Sequence, residues 1–194
     1  MSVMTAAGAG LPTDRPLTVE DLDLLPDDAN KYELDDGVLV VSPATAVNHQ
    51  LVLQRLSELL GPACSAEYLV LPGPGVEITK YQYRIPDLVV VRTDSVGFED
   101  KSVIKPPVLA IEIASPSTAI YDRNRKKDVY AGVGITSYWI VKPSLDKPTV
   151  TAFKLRRGRY SEVAHVSSDE VFRATRPFSV EIVPAVLVAG PWQR

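Results

Sequence analysis

Apolar positions along this chain recur with two different periods, and the periods predict its elements. Between Asn48 and Leu60 the residues Val52, Leu53, Leu56, Leu59 and Leu60 fall at three- and four-residue spacing, which predicts a helix stopped by Gly61-Pro62. A shorter helix is expected over Thr18–Pro26, where Thr18 can cap and acids fill the first turn. Lys31–Leu34 and Val38–Val41 read as a hairpin around Asp35-Asp36-Gly37, and Asp-Gly suits a tight turn. Strands are predicted near Tyr68–Leu71, Gly75–Thr79, Tyr83–Arg92 and Val108–Ala114. A second helix over about Tyr121–Ala131 ends at Gly132 and Gly134, and Ser137–Val141 follows as a buried strand. Thr149–Leu155 and Arg159–Ala164 form a second hairpin across Arg156-Arg157-Gly158, and the apolar stretch Phe178–Val188 is broken by Pro184. Strands between two helices, then more strands, make one α/β or α+β domain on a mixed sheet.

Two of these strands carry an acid among apolar residues. Asp87 follows Pro86 at the entrance to Leu88-Val89-Val90-Val91, and Glu112 sits between Ile111 and Ile113. Burying a carboxylate is costly unless it is paired, hydrogen-bonded or metal-bound. Taken singly, a capped turn explains Asp87 and an internal salt bridge explains Glu112. Side by side, the two acids suit a hard divalent cation. Asp122, Lys126 and Tyr130 then recur at intervals of four along the second helix. That spacing serves either a surface Asp–Lys pair or a lysine placed to stabilise charge growing on a phosphate.

Composition narrows the setting. The 194 residues suit a single domain, and 45% hydrophobic with 23% charged residues is ordinary for a globular protein. No apolar run approaches the length needed to span a bilayer, so no membrane association is expected. Met1–Gly10 lacks the basic and apolar regions of a signal peptide, and residues 1–16 are expected to be a flexible tail before a domain at 17–190. Cys64 is the single cysteine, so no intramolecular disulfide forms and a cytoplasmic location fits. It has no partner pattern, and no Cys/His spacing suggests zinc. The net charge of −3 hides an asymmetry. Residues 1–36 hold nine acids and two bases, whereas Lys101 to Arg159 hold twelve bases and four acids, a hint of a polyanion-binding face. Ser115 and Ser117 lack a Gly-x-Ser-x-Gly elbow, so Ser115-Pro116-Ser117-Thr118 reads as a strand-to-helix turn whose hydroxyl caps the helix or contacts phosphate.

Several segments, in order, resemble one family. Tyr32-Glu33-Leu34 with Gly37, Ser42-Pro43-Ala44, Pro86-Asp87-Leu88, Glu112-Ile113-Ala114-Ser115-Pro116-Ser117-Thr118, Asp122-Arg123-Asn124-Arg125-Lys126 and Tyr138-Trp139-Ile140-Val141 are similar to the Uma family of bacterial proteins. The resemblance runs from about residue 17 to 188. It implies a restriction-endonuclease-like PD-(D/E)XK core, a mixed β-sheet flanked by helices, here with extra C-terminal strands. It makes Asp87 and Glu112 metal ligands, with the Ile113 carbonyl and Glu33 as additions. The slot two residues after Glu112, where the parent nucleases carry lysine, is Ala114. In the resembling family the lysine has moved to the following helix, where Lys126 stands with Lys127 as its alternate. His49 matches a recurrent histidine, expected to contact phosphate or position a water.

The expected function is therefore a Mg²⁺- or Mn²⁺-dependent endonuclease acting on nucleic acid, foremost DNA. Asp87, Glu112, Lys126 and Glu33 are its candidate catalytic groups. Arg123, Arg125, Lys127, Ser117 and His49 are its candidate nucleic-acid contacts, giving affinity without sequence preference. A homodimer is an expectation of the resemblance alone. The alternative is a degenerate nuclease fold that binds nucleic acid or a protein partner without cutting, for which Ala114 leaves room.

Overall fold

The computed structural model describes residues 10–114 and 122–191, without the side chains of Asp122 and Arg123. A 3₁₀ turn, Val19–Leu24, precedes β1 (Lys31–Asp35), β2 (Val38–Ser42) and α1 (Val47–Ala63). Four strands follow: β3 (Tyr68–Pro72), β4 (Val76–Thr79), β5 (Gln82–Arg84) and β6 (Leu88–Arg92). After β7 (Leu109–Ile113), a π-helical turn Asp122–Lys126 runs into α2 (Lys127–Gly132). The chain finishes with β8 (Ser137–Lys142), β9 (Thr149–Arg156), β10 (Arg159–Ser167), β11 (Phe172–Ala174), β12 (Val180–Ile182) and α3 (Pro184–Val188).

The central sheet has the order β10-β9-β8-β7-β6-β3 and is antiparallel except between β7 and β8. That parallel pair needs a crossover, which the α2 segment supplies. A four-stranded sheet, β2-β1-β5-β4, and the β11–β12 hairpin complete the fold. The period-two alternation of β6 and β7 divides the core between two faces. Leu88, Val90, Leu109, Ile111 and Ile113 pack beneath Val52, Leu56 and Leu60 of α1. Val89, Val91 and Ala110 pack on the other face with Tyr130 and Ile135. All five positions of β7 are buried, as expected of a strand covered on both faces.

Four differences from the sequence reading have physical causes. The predicted strand Tyr83–Arg92 is two strands in two sheets, because Pro86 between them has no N–H to give a ladder. The helix expected to stop at Gly61-Pro62 reaches Ala63, with Pro62 in its last turn. There the proline forfeits only a terminal bond, and the Cys64 N–H donates to the Gly61 carbonyl at 3.2 Å. Pro184 does not merely break the last apolar stretch but occupies the start of α3, where a missing N–H costs nothing. Leu11, within the expected tail, is buried with Leu17, Leu34, Leu39 and Val41. The β1–β2 turn is as read: Asp36 and Gly37 have φ of 51° and 79°. A Cβ on Gly37 would come within 2.6 Å of Pro16 Cβ, so glycine is required twice over.

Candidate active site

Strand register brings the two predicted acids together. Leu88 pairs with Ile111 across the antiparallel β6–β7 ladder, so the next step outward sets Asp87 opposite Glu112. The Ile113 N–H donates to Asp87 Oδ2 at 2.8 Å, which ties the acid to the neighbouring strand. Both acids are nearly sealed, Asp87 at 5% and Glu112 at 2% exposure, so each needs compensation.

The compensation comes from elements distant in sequence. Lys31 Nζ on β1 donates to Asp87 Oδ1 at 2.8 Å, and His49 Nε2 in the first turn of α1 lies 3.0 Å from Asp87 Oδ2. Because the carboxylate only accepts, Nε2 carries the imidazole proton in this contact. Burial alone would push the Asp87 carboxyl up. The His49 hydrogen bond and the Lys31 ammonium outweigh it and hold the group well below the usual carboxylate range.

Glu112 is held from the helix after β7. Lys126 Nζ donates to its Oε2 at 2.9 Å, and the Tyr130 hydroxyl donates to Oε1 at 2.7 Å. Lys126 and Tyr130 are four residues apart and converge on the same carboxylate. Lys126 enters from the π-helical turn, a local widening common at functional sites. Burial first, then the negative charge of Glu112, pushes the Tyr130 phenol well above its ordinary value, so it stays a neutral donor. Lys126, the lysine that the family resemblance singles out on this helix, thus brings its ammonium to the acid.

Glu33 joins the same cluster. Its Oε1 accepts the Ile85 N–H at 2.8 Å and lies 3.7 Å from Lys126 Nζ, while Oε2 lies 3.7 Å from Arg84 Nη1. The fully buried Arg84 also reaches Asp35 Oδ1 at 2.7 Å. Lys31, Arg84, Tyr130 and Asp35 were absent from the expected site. Lys31, Glu33 and Asp35 alternate along β1 and so share one face, a signal legible in the sequence. Arg84 has no such signal, because its role depends on two sheets meeting at Pro86.

The expected phosphate contacts fare differently. Arg125 was read as gripping backbone, but its guanidinium binds Asp35 and Asp36. These hydrogen bonds, that to Asp35 foremost, raise its pKa. Lys127 was likewise read as a phosphate contact, yet its ammonium stands 3.7 Å over the Phe153 ring. His49 turns to Asp87 rather than outward. Ser117 and the Arg123 side chain lie outside the described residues. His165 is on β10, an edge strand, with Nδ1 2.9 Å from Thr151 Oγ1.

For a metal, the donor set is small. Among the described residues no group of three or more His, Cys, Asp or Glu side chains is placed to hold one. Two carboxylates in register, Asp87 and Glu112, are hard oxygen donors. Such a set could serve only a cation that takes one or two carboxylates and completes its shell with water and phosphate oxygens, not one that needs an all-protein cage.

The chain and its fold have recognisable relatives. The Uma2 family model, described as "Putative restriction endonuclease", matches residues 19–186. No curated protein matches the chain. A crystal structure from Anabaena variabilis ATCC 29413, described as "a putative nuclease belonging to DUF820", superposes with a TM-score of 0.68 at 14% sequence identity. The match covers 89% of this chain and 98% of that one, and at this identity it establishes a shared fold. Among the described residues no helix is long and apolar enough to cross a membrane.

Proposed function

Since the chain belongs to the Uma2 family, we propose that it is a Mg²⁺- or Mn²⁺-dependent endonuclease hydrolysing phosphodiester bonds of nucleic acid, foremost DNA. One observation carries the reading: Asp87 and Glu112 stand opposite each other across β6 and β7, and Lys126 reaches Glu112 from the following helix at 2.9 Å. Asp87, Glu112 and the Ile113 carbonyl would hold the cation. When bound, the cation supplies an activated water and shields the charge of the scissile phosphate.

The remaining chemistry belongs to the chain's own residues. Lys126 brings a positive charge to where negative charge grows on the phosphoryl oxygens, in a buried site where the interaction is stronger than in bulk water. Tyr130 holds Glu112 in one orientation through a neutral hydroxyl. His49 and Lys31 keep Asp87 ionised and pointed at the Ile113 backbone. Glu33 adds a second carboxylate near Lys126, its Oε1 3.7 Å from Nζ.

The test is incubation with supercoiled plasmid and Mg²⁺ or Mn²⁺, beside Asp87→Asn and Glu112→Gln. These near-isosteric changes keep the shape of a site whose acids are buried. Nicking by wild type, lost by at least a hundredfold in both variants and absent in EDTA, is the expected result. Equal nicking by all three proteins would remove these acids from the chemistry. A specific feature favours a second reading, binding without cutting: Asp87 and Glu112 are both already neutralised by protein cations. Duplex binding with no metal response by wild type would select it.

A further inference from the structure

We infer that the tip of the β9–β10 hairpin, together with the cleft between it and α2, is a second contact surface for the phosphate backbone of nucleic acid. It rests on the reading of the acid site above and extends it to a face that the family motifs do not include.

The first support is charge that nothing neutralises. The tip reads Arg156-Arg157-Gly158-Arg159, and all three guanidiniums are on exposed residues. Among the described residues, no carboxylate pairs with any of them. Several other surface arginines are paired: Arg92 with Asp94, Arg125 with Asp35 and Asp36, and Arg173 with Glu181.

The second support is a turn residue that breaks its own local rule. Arg157 and Gly158 have φ of 50° and 77°, the left-handed pair of a two-residue hairpin turn. Asn-Gly or Asp-Gly is the unstrained choice for such a turn. The β1–β2 hairpin has the same left-handed pair and follows that rule with Asp36-Gly37. An arginine at the first position is conformationally unfavourable and, being exposed, gains no packing in return. Such departures belong where function needs the side chain.

The third support is the shape beside the tip. A cleft of about 480 Å³ lies between hairpin and helix, with Lys127 on one wall and Arg159 on the other. Gly132 and Gly158 leave it without bulk at those positions, and Asp128 is the one carboxylate among its lining residues. The Tyr160 hydroxyl at its margin donates to the Ile135 carbonyl at 2.7 Å and is committed to the fold. A polar cleft flanked by the exposed Arg159 fits a phosphodiester, unlike the mostly apolar pockets that hold small organic ligands.

Its placement fits a strand running past the acid site. Lys126 and Tyr130 leave one side of the helical segment for Glu112, whereas Lys127 and Ala131, also four apart, face the cleft. Consecutive positions on a helix differ by about 100°, so Lys126 and Lys127 leave the same segment in different directions, one toward the acids and one toward the cleft.

The test is fluorescence anisotropy in EDTA, with a labelled 20-base-pair duplex and its single strand as probes. Wild type is compared with the Arg156→Ala/Arg157→Asn/Arg159→Ala variant, in which Arg157→Asn gives the turn its preferred residue and so protects folding. A thermal midpoint within a few degrees of wild type confirms that the variant is folded. The expected result is at least a tenfold loss of affinity at low salt. The slope of log K against log salt should fall by roughly 2–3, at about 0.9 for each lost duplex phosphate contact. Unchanged affinity and slope would overturn the hairpin surface while leaving the acid-site reading intact. Wild type that binds neither probe would overturn both. Displacement of the duplex by polyglutamate at equal charge concentration would reassign the surface to an acidic polypeptide.

Discussion

Lys126 shows how much one side chain can owe to its surroundings. In the sequence it is one of four cations in Arg123-Asn124-Arg125-Lys126-Lys127, set apart only by its spacing of four from Asp122 and Tyr130 and by the family resemblance. In the structure it is 6% exposed, bonded to Glu112 and near Glu33, whereas Arg125 and Lys127 turn to Asp35 and Phe153. Removing one member of a buried ion pair leaves the other uncompensated, which costs about 3–5 kcal/mol. Lys126→Met is therefore expected to lower unfolding free energy by about 3 kcal/mol, and Glu112→Gln by a similar amount. The double variant should lose clearly less than the two together, since it removes both charges. Urea unfolding of the four proteins measures the cycle, and strict additivity would mean that the pair is not energetically coupled.

At the scale of elements, short polar devices set where each segment starts. The turn Val19–Leu24 opens with Thr18, whose N–H donates to Asp21 Oδ2 at 2.7 Å. Arg15 adds two bonds to the same carboxylate, at 2.6 and 2.8 Å. Led by the Arg15 hydrogen bond, these contacts hold the Asp21 carboxyl well below its ordinary value. A depressed folded-state pKa gives stability that is fully present above the unfolded value, near 3.9, and is lost as pH falls toward the folded one. Thermal midpoints of wild type and Asp21→Asn should accordingly differ most at pH 6, and the gap should narrow as pH falls from about 4 toward 2. A gap that stays constant over that range would show that the Asp21 charge contributes nothing to this turn. The same scale explains why Tyr83–Arg92 misled as a single strand: the apolar alternation continues through Ile85-Pro86-Asp87, but a residue without an N–H cannot continue a ladder.

For the whole molecule, scaffold and site are largely separable. Helix α1 covers one face of the central sheet through Val52, Leu56 and Leu60, and of its buried residues His49 is the one that touches Asp87. Leu56→Ala should cost about 2–5 kcal/mol. For a domain of this size that lowers the thermal midpoint by roughly 5–15 °C. Nicking measured well below the midpoint should remain within about twofold of wild type; a larger loss would mean that α1 packing tunes the site. The sequence by itself determined the local elements, the β1–β2 turn at Asp36-Gly37, the two-faced burial of β6 and β7, and the pairing of Asp87 with Glu112 as candidate acids. These follow from short-range rules, in which period, turn chemistry and the cost of burying a carboxylate are all read within a few residues. The partners of those acids were decided only by the tertiary structure. Lys31 lies 56 positions from Asp87, and the contact exists because two sheets meet at Pro86. Which cation faces inward is likewise a tertiary outcome, since a buried carboxylate takes the nearest charge that the packed backbone can deliver.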